Sequence, residues 1–315
     1  MRRRPWRPRH GVTDVVMVRS CTRGGHGGSP TAVVIEHGPL GDTTRAAMAR
    51  DMPASHTAFL CPPVPGDAEL IRVRFFTRQG ELSGCGHGTI AVMAVLVHMG
   101  VVEPGRAQLA IAGRVVSATS TAVGDEVEVW INHGDVPIGP APRDMLTGLL
   151  APLGLNRQAQ MAGATGGPDG HRSVTRVDAV VSRPGAARLL VRVADRATLS
   201  SIRPDHVALA AACRRHGLLG CFVHAIDEHS PGRHTGAGRM FAPAIGVKED
   251  VANANSTAGL AAALTAGSQA TCRLTTDQGD WLGTLSTVFA HAEPVANGAH
   301  VFTGGRAHVT GAFQQ

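Results

Sequence analysis

A glycine-rich turn within residues 81–100 places three chemically active side chains close together. Cys85, His87 and Thr89 are spaced two residues apart in the stretch Cys-Gly-His-Gly-Thr, and an apolar run begins at Ile90. A turn of this kind before a helix presents free backbone N–H groups and the positive end of the helix dipole, which suit a carboxylate. A titratable side chain beside a bound carboxylate can move a proton at the neighbouring carbon. The turn therefore predicts a site for proton transfer on a small acid.

A partial repeat of this turn follows 168 positions later, in residues 248–264. An acidic residue again precedes a small polar loop, which leads through Ser256 and Thr257 into an Ala/Leu-rich helix, so that Thr89 aligns with Thr257. Two such helix starts predict a duplicated architecture with a site between the halves. Either start alone is equally typical of an ordinary capped helix, because Ser and Thr are preferred N-cap residues.

The composition and the strand pattern predict a two-part α+β protein. The chain has 315 residues, of which 43% are hydrophobic and 17% are charged, so it is long enough for two domains. Several short strands and one very apolar helix in each half predict a helix wrapped by sheet, in residues 11–138 and 139–315. Residues 134–143, with three prolines and two glycines, are predicted to be a linker. Aromatic residues make up only 3%, which argues against nucleic acid as a partner because few rings can stack on bases.

The net charge of +6 is concentrated at the start of the chain. Residues 1–10 contain five arginines, so the rest carries 6 − 5 = +1, and we expect a disordered basic tail. No apolar run reaches transmembrane length and no apolar signal region follows the tail, which predicts a cytoplasmic protein without a membrane partner.

The cysteine and histidine spacings do not indicate a metal site. None of the six cysteines forms a C-x-x-C pair, so neither a zinc site nor a disulfide framework is expected. His224, His229 and His234 lie around a Pro-Gly turn and are expected to be exposed loop residues. We predict no metal and no cofactor.

Seven short motifs occur in an order that is typical of a known family. They are residues 28–33 (GSPTAV), 55–59 (SHTAF), 74–77 (RFFT), 85–89 (CGHGT), 239–243 (RMFAP), 246–250 (GVKED) and 277–279 (DQG). On these motifs the chain resembles the PhzF-like isomerases (phenazine-biosynthesis type) of the diaminopimelate epimerase fold. The resemblance implies two similar halves, each a mostly antiparallel sheet around a central helix, with the active site in the cleft between them. It also implies cofactor-independent proton transfer and a homodimer.

Departures from the family pattern bear on the mechanism. The usual catalytic glutamate is replaced by His56, which excludes glutamate-driven chemistry at this position. The Cys-Gly-His-Gly-Thr turn also resembles that of proline racemases, in which this cysteine is an acid/base. Their second cysteine is missing here, because no Cys lies between Cys221 and Cys272. The loop from Asp250 to Ser256 is one residue longer than usual, and the arginine expected soon after Gln-Gly is absent.

We therefore expect an isomerase that shifts a double bond in a small carboxylated, unsaturated metabolite by proton transfer on one face. His56 is the expected base, since a histidine can gain or lose a proton near neutral pH. Asp250 and His87 would orient the substrate or relay the proton, and Cys85 is a further acid/base candidate. The expected substrate-binding residues are Gly28, Ser29, Pro30, Ser55, Gly86, Gly88, Thr89, Asn253, Asn255, Ser256 and Thr257, whose backbone N–H groups at the two helix starts would hold negative charge.

The pathway and two alternatives stay open at this stage. An Arg-rich composition with one lysine, together with the His56 variant, favours antibiotic-type secondary metabolism, with the alkylproline branch as one candidate by resemblance. The first alternative is an amino-acid or proline-type racemase or epimerase that uses Cys85 and His56 on opposite faces. The second is a non-catalytic homologue that binds small acids.

Overall fold

This computed structural model describes residues 14–61, 70–155 and 179–314. These residues contain sixteen strands and six α-helices, joined by turns and loops. The predicted tail at residues 1–10 lies outside these ranges. The strands are β1 Asp14–Ser20, β2 Ser29–Ile35, β3 His56–Leu60, β4 Leu70–Thr77, β5 Gly80–Leu82, β6 Arg106–Ile111, β7 Arg114–Val123, β8 Glu126–Pro140, β9 Ala179–Ser182, β10 Arg188–Arg192, β11 Gly220–Ser230, β12 Arg233–Ala242, β13 Val247–Asp250, β14 Cys272–Gln278, β15 Ser286–Val295 and β16 Gly298–Gln314. The helices are α1 Asp42–Asp51, α2 Gly86–His98, α3 Arg143–Leu150, α4 Arg196–Ser201, α5 His206–Arg215 and α6 Ala254–Ser268, with 3₁₀ turns at Pro243–Ile245 and Asp280–Leu282.

The strands form one sheet that closes on itself twice. The first ring runs β8-β7-β6-β4-β3-β2-β1-β16 and closes because β16 pairs with β8. The second ring runs β16-β15-β14-β12-β11-β10-β9-β8 and uses the same pair. The two longest strands, β8 and β16, therefore belong to both rings, so this strand pair is common to the two halves.

The two rings repeat the same pattern of strand pairing. Within the first ring β2–β3 and β4–β6 are parallel and every other neighbour is antiparallel. The second ring has its parallel pairs at β10–β11 and β12–β14, so β1–β8 correspond in order to β9–β16. The predicted α+β fold with two similar, mostly antiparallel halves is confirmed.

Two details of the sequence-based expectation are wrong. Residues 134–140 continue β8 rather than forming a linker, because residues 134–137 pair with the start of β16, residues 138–140 pair with β9, and Val136 packs in the apolar core. His224 and His234 are buried on the long hairpin of β11 and β12 instead of lying in an exposed loop. The side chain of His229 lies outside the described residues. The division of the chain after residue 138 stays a prediction.

Each ring encloses one central helix. Residues 86–96 of α2 are all buried, and Ile90, Met93 and Leu96 pack in the core of the first ring. In the second ring α6 packs Ala258, Leu260 and Ala261 against β14, β15 and β16. A helix that is apolar on every side is buried on every side, which explains why these two segments occupy the ring interiors.

The two central helices meet at their N-terminal ends. A Cβ atom placed on Gly86 would lie 2.6 Å from the Cβ of Ala254, so only glycine allows this approach. The positive ends of both helix dipoles and their free N–H groups therefore converge on one place between the rings.

Candidate active site

The two helix starts are built in the same way, 168 residues apart. Cys85 is the N-cap of α2 and its Sγ accepts a hydrogen bond from Gly88 N at 3.4 Å, while Asn253 caps α6 through Oδ1 and Ser256 N at 2.8 Å. The hydroxyls of Thr89 and Thr257 donate to the carbonyls of Cys85 and Asn253, at 2.8 and 3.2 Å. The Thr89–Thr257 alignment therefore corresponds to a real structural repeat, in which the first cap is a thiol and the second an amide.

Cys85 and His87 form a buried thiol–imidazole pair. The distance from Cys85 Sγ to His87 Nε2 is 3.4 Å, and the two side chains belong to the same turn of chain. Burial is the largest single influence on His87 and lowers its pKa, whereas Cys85 and Asp250 attract the charged ring and raise it. Hydrogen bonds to Cys85 and to the backbone of Ala252 add to this effect and bring the pKa to about 9. His87 therefore carries a proton at neutral pH.

His56 lies beside this pair and has the opposite character. Its ring meets that of His87 edge to face, with the centroids 4.4 Å apart, and its Nδ1 lies 2.9 Å from the Ser55 hydroxyl. Burial lowers the pKa of His56 to about 4, repulsion by His87 adds to the shift, and attraction to Asp250 opposes it. His56 is therefore neutral at physiological pH and can accept a proton, with Nε2 as the accepting atom when Nδ1 donates to Ser55.

Asp250 connects the histidines to the second helix start. Its Oδ2 lies 4.0 Å from His87 Nδ1 and accepts a hydrogen bond from Asn253 Nδ2 at 3.0 Å. Its Oδ1 is buried and has no hydrogen-bond partner among the described residues. A buried carboxylate oxygen without a donor is costly, so this atom is suited to a donor on a ligand.

A cleft of about 340 Å³ opens beside the helix starts. Four of the predicted site residues line it, namely Cys85, Gly86, Thr89 and Asn255. His56, His87 and Asp250 are not among the residues that line the cleft and are nearly inaccessible, with exposed fractions of 4, 2 and 5%. Of the four predicted acid/base residues Cys85 is therefore the one that lines the cleft, and the ligand atoms of His56 and His87 lie within 4.8 Å of its sulfur.

The other predicted residues lie close by, but several have their side chains engaged in the fold. Gly28 precedes β2, and Ser29 and Pro30 are its first two residues. Thr31 of the same strand pairs with His56, and the buried Ser29 hydroxyl has no partner among the described residues. The Thr257 hydroxyl accepts from Gln278 Nε2 at 2.9 Å besides donating to its own turn. Gly88 cannot be enlarged, because a Cβ there would lie 2.7 Å from the Phe75 ring. These contacts favour a role for Gly88 and Thr257 in shaping the helix starts.

Arg188 also lies at the site, although none of the sequence motifs contains it. The side chain is 1% exposed, lines the cleft and donates from Nη1 to Asn253 Oδ1 at 3.2 Å and to Ser256 Oγ at 3.3 Å. In sequence it is only the first residue of a short apolar strand. Nothing in that pattern shows that its side chain turns toward the start of α6.

The same cluster contains the atoms that could hold a metal ion. The ligand atoms of His56, Cys85 and His87 all lie within 4.8 Å of one another, and all three side chains are buried. Thiolate and imidazole are suitable ligands for zinc, and three such ligands would leave one position open. The hydrogen bond between Cys85 and His87 also satisfies two of these atoms without a metal.

Comparison with known proteins identifies the family. The family model of the phenazine biosynthesis-like proteins (PhzC-PhzF) matches residues 19–311. The chain belongs to this family. A curated relative, the uncharacterized isomerase YddE of Salmonella typhimurium, is 26% identical over 238 residues, which cover 72% of this chain and 71% of that protein. The predicted family and the predicted enzyme class, isomerase, are confirmed.

Two further similarities concern the fold and a shorter segment. A PhzF-family phenazine biosynthesis protein of Bacillus anthracis matches with a TM-score of 0.79 at 16% identity, over 97% of this chain and 99% of that structure. A 4-hydroxyproline 2-epimerase of Burkholderia cenocepacia is 40% identical over 98 residues, which cover 25% of this chain and 31% of that protein. Within the described residues, no helix combines the length and the apolar character needed to cross a membrane.

Proposed function

We propose that this PhzF-family protein shifts a double bond in a small carboxylated, unsaturated metabolite by cofactor-independent proton transfer on one face. The observation that carries the proposal is the contact between two buried imidazoles of opposite character. The pKa of His56 is lowered to about 4 and that of His87 is raised to about 9. A neutral base and a protonated acid thus lie side by side, next to the cleft wall at Cys85.

His56 is the base in the proposed proton transfer. His56 Nε2 takes a proton from the carbon next to the double bond, and the electron pair of that C–H bond delocalises toward the substrate carboxylate. The protonated ring then returns the proton to the carbon at the far end of the three-carbon unit, and the double bond moves by one position. The composition of the substrate is unchanged, and no oxidant or cofactor is consumed.

The surroundings of His56 suit the charge that develops during this transfer. The negative charge on the substrate faces the converging N-terminal ends of α2 and α6 and the protonated His87 ring. Fixed N–H donors and a buried cation stabilise such a charge without reorganising. The same negative charge raises the proton affinity of His56 when the substrate is bound, which brings a weak base closer to the strength that it needs.

The geometry favours one face over two. Acid and base atoms on opposite faces of a carbon each lie about 3–3.5 Å from it, so they are separated by roughly 6–7 Å. The ligand atoms of His56 and Cys85 are within 4.8 Å of each other, which leaves no room for a carbon between them. This spacing argues against a racemase that uses Cys85 and His56 on opposite faces.

Proton exchange in deuterated water tests the proposal. The wild-type protein is incubated with a panel of small unsaturated acids. We expect it to incorporate deuterium into at least one of them, followed by NMR, while the ultraviolet absorbance of that acid shifts. The panel includes cyclic imino acids of the alkylproline type, the pathway that the sequence variant suggests. His56→Asn should lower the rate by about 10²–10⁴-fold, the usual contribution of a general acid or base.

His224→Asn is the matched control, because His224 is also buried and its pKa is also lowered, to about 3, but it lies on β11 in the second ring. This variant should keep the wild-type rate. Turnover that survives in His56→Asn but is lost in Cys85→Ser would contradict the role of His56 and transfer the chemistry to the thiol.

Epimerisation is the second candidate, and two observations favour it. Cys85 is the acid/base candidate that lines the cleft, and a 4-hydroxyproline 2-epimerase is similar over part of the chain. Deuterium entering at a stereocentre without a shift of the chromophore would support epimerisation. The homodimer and the role in secondary metabolism also stay proposals, supported by the family resemblance. A non-catalytic acid-binding protein would show binding without exchange.

A further inference from the structure

The cleft has cationic side chains and no acidic counterpart. Its described lining contains the guanidinium groups of Arg114 and Arg188 and the rings of His133 and His300 in addition to the two helix starts, and none of the described lining residues is Asp or Glu. Burial, together with repulsion by the two arginines, lowers the pKa of His133 to about 4, so the positive charge comes from the arginines and the His133 ring is neutral at pH 7. Within the described part of the chain, no carboxylate forms an ion pair with Arg114 or Arg188. An accumulation of positive charge in a partly enclosed cleft raises the local concentration of anions.

The two guanidinium groups lie at the same short segment, Gly185-Ala186. Arg188 Nη2 donates to the carbonyl of Ala186 at 3.2 Å. A Cβ atom placed on the neighbouring Gly185 would lie 3.6 Å from Arg114 Nη2. Arg114 begins β7 in the first ring and Arg188 begins β10 in the second, so the segment brings one cation from each half to the cleft.

Arg188 occupies a special place in the internal repeat. It pairs with Gly220 across the parallel strands β10 and β11, as Thr31 pairs with His56 across β2 and β3. In the second half, Gly220 therefore corresponds to His56, the proposed base, and Arg188 corresponds to its neighbour Thr31. The second half thus places a fixed positive charge at the corresponding helix start.

The buried guanidinium of Arg188 is incompletely satisfied. Its Nε has no hydrogen-bond partner among the described residues. Burial lowers the pKa of Arg188 to about 10, and the attraction of Asp250 offsets only part of this. A buried cation without a paired anion is costly, and a bound carboxylate would remove that cost.

We propose that the cleft binds a dianionic substrate, with Arg188 and the two helix starts holding one carboxylate and Arg114, beside His133, holding the second acidic group. The inference rests on the proposed function in taking this cleft as the substrate site. It adds the substrate class, a small dicarboxylate or an acid of equal charge. A volume of about 340 Å³ suits a metabolite of this size.

Calorimetric titration with butyrate and succinate tests the proposal, since these four-carbon acids differ in having one or two carboxylates. At low salt and about pH 7.5, we expect wild-type protein to bind succinate at least about tenfold more tightly than butyrate, as a second charge-assisted contact would give. Arg114→Gln should remove this preference while the affinity for butyrate stays the same. Arg188→Gln should weaken the binding of both acids by about tenfold or more.

Arg106→Gln is the matched control, because Arg106 lies at the other end of the same β6–β7 hairpin, away from the cleft, and its affinities should equal those of wild type. Arg188→Lys keeps the charge and protects the test if Arg188→Gln fails to fold. It should bind succinate more weakly than wild type does, and added NaCl should weaken the binding further.

Equal affinities of wild-type protein for the two acids, or no binding of either, would overturn the proposal. So would unchanged succinate binding in Arg188→Lys. None of these titrations requires turnover, so their outcome is separate from that of the deuterium exchange that tests His56.

Discussion

At the scale of single residues, the pair of imidazoles at His56 and His87 explains how one fold can hold both an acid and a base. The rings are in contact and both are buried, yet burial sets the pKa of His56, whereas at His87 the attraction of Cys85 and Asp250 and two hydrogen bonds together outweigh the burial. Neighbouring titratable groups whose surroundings separate their pKa values are a common arrangement for acid–base chemistry. The pair acquires this character from Asp250 and Cys85, which lie on the His87 side.

The pH dependence of the reaction follows from these two pKa values. The base must be neutral and the acid protonated, so kcat/KM should rise as the pH passes about 4, stay level, and fall as it passes about 9. The alkaline limb is the informative one, because the substrate carboxylate also titrates near the acidic limb. Steady-state rates across this range in wild type and His87→Gln provide the measurement.

His87→Gln should lose the alkaline limb and keep the acidic one. An alkaline limb of the same midpoint in this variant would show that another group carries the proton. His291→Gln serves as control, because His291 lies at the surface beside Glu293 and should leave the profile unchanged.

The residues of the site could be predicted only in part. His56, Cys85, His87 and Asp250 were found through motifs, since each stands in a short ordered match to the family. Arg188 could not be found in this way, because its role depends on the register between β10 and β11 and on the direction of its side chain. The local sequence pattern predicts the strand, but it does not show which face of a strand this short carries the side chain of its first residue.

At the scale of secondary-structure elements, the meeting of α2 and α6 depends on one missing methyl group. We expect Gly86→Ala to destabilise the protein by about 1–3 kcal/mol, because its Cβ would lie 2.6 Å from that of Ala254 and one helix must move. Removing the opposing methyl group should relieve the clash, so Gly86→Ala with Ala254→Gly should recover most of the lost stability. Urea unfolding of the two single variants and the double variant measures this coupling.

Gly84→Ala is the control for the same loop, since a Cβ there meets nothing within 4 Å, and it should be nearly neutral. Additive effects of Gly86→Ala and Ala254→Gly would contradict a direct contact between the helix starts. Deuterium exchange in the same variants should follow the stability, because the helix starts are the proposed place for the developing charge.

The element scale was also the most predictable one from sequence. The repeat of 168 residues correctly aligned Thr89 with Thr257, and both threonines close the first turn of a central helix. The predicted linker failed because prolines and glycines occur on β8 near its end, where Pro140 pairs only with the short edge of β9. Composition cannot distinguish a loop from a strand whose pairing partner, here β16, is about 160 residues away in the chain.

At the scale of the whole molecule, the shared strands make the halves interdependent. The first ring needs β16 to close, and Ala307 of that strand packs in the core around α2. A fragment of residues 1–138 should therefore lack a cooperative unfolding transition, whereas the full chain should unfold in one step. Circular dichroism with urea compares the two, and adding a fragment of residues 139–315 should restore the transition. A cooperative transition of the first fragment alone would contradict this dependence.

The buried histidines give the whole molecule a defined response to acid. Three of them, His56, His133 and His224, have pKa values lowered to about 4, 4 and 3, chiefly by burial, whereas that of His87 is raised to about 9. Unfolding returns the pKa of each of these histidines to about 6.5. Below that pH the unfolded chain therefore binds three protons that the folded chain does not bind. The stability from these three is present above pH 6.5 and is lost as the pH falls toward 4.

The single raised group, His87, acts in the opposite direction and over a higher pH range, between about 6.5 and 9. His87 stabilises the fold below pH 6.5 and loses that contribution as the pH rises toward 9. Between pH 7.5 and 5.5, above the range in which most carboxylates titrate, the three lowered groups should each remove about 1.3 kcal/mol and His87 should return about the same amount. The free energy of unfolding should therefore fall by about 3 kcal/mol. Urea unfolding at these two pH values measures the difference. His224→Asn should make the difference smaller, because the unfolded variant has one fewer histidine that can bind a proton at pH 5.5. A protein as stable at pH 5.5 as at pH 7.5 would show that the buried rings reach water or carboxylates when they are protonated.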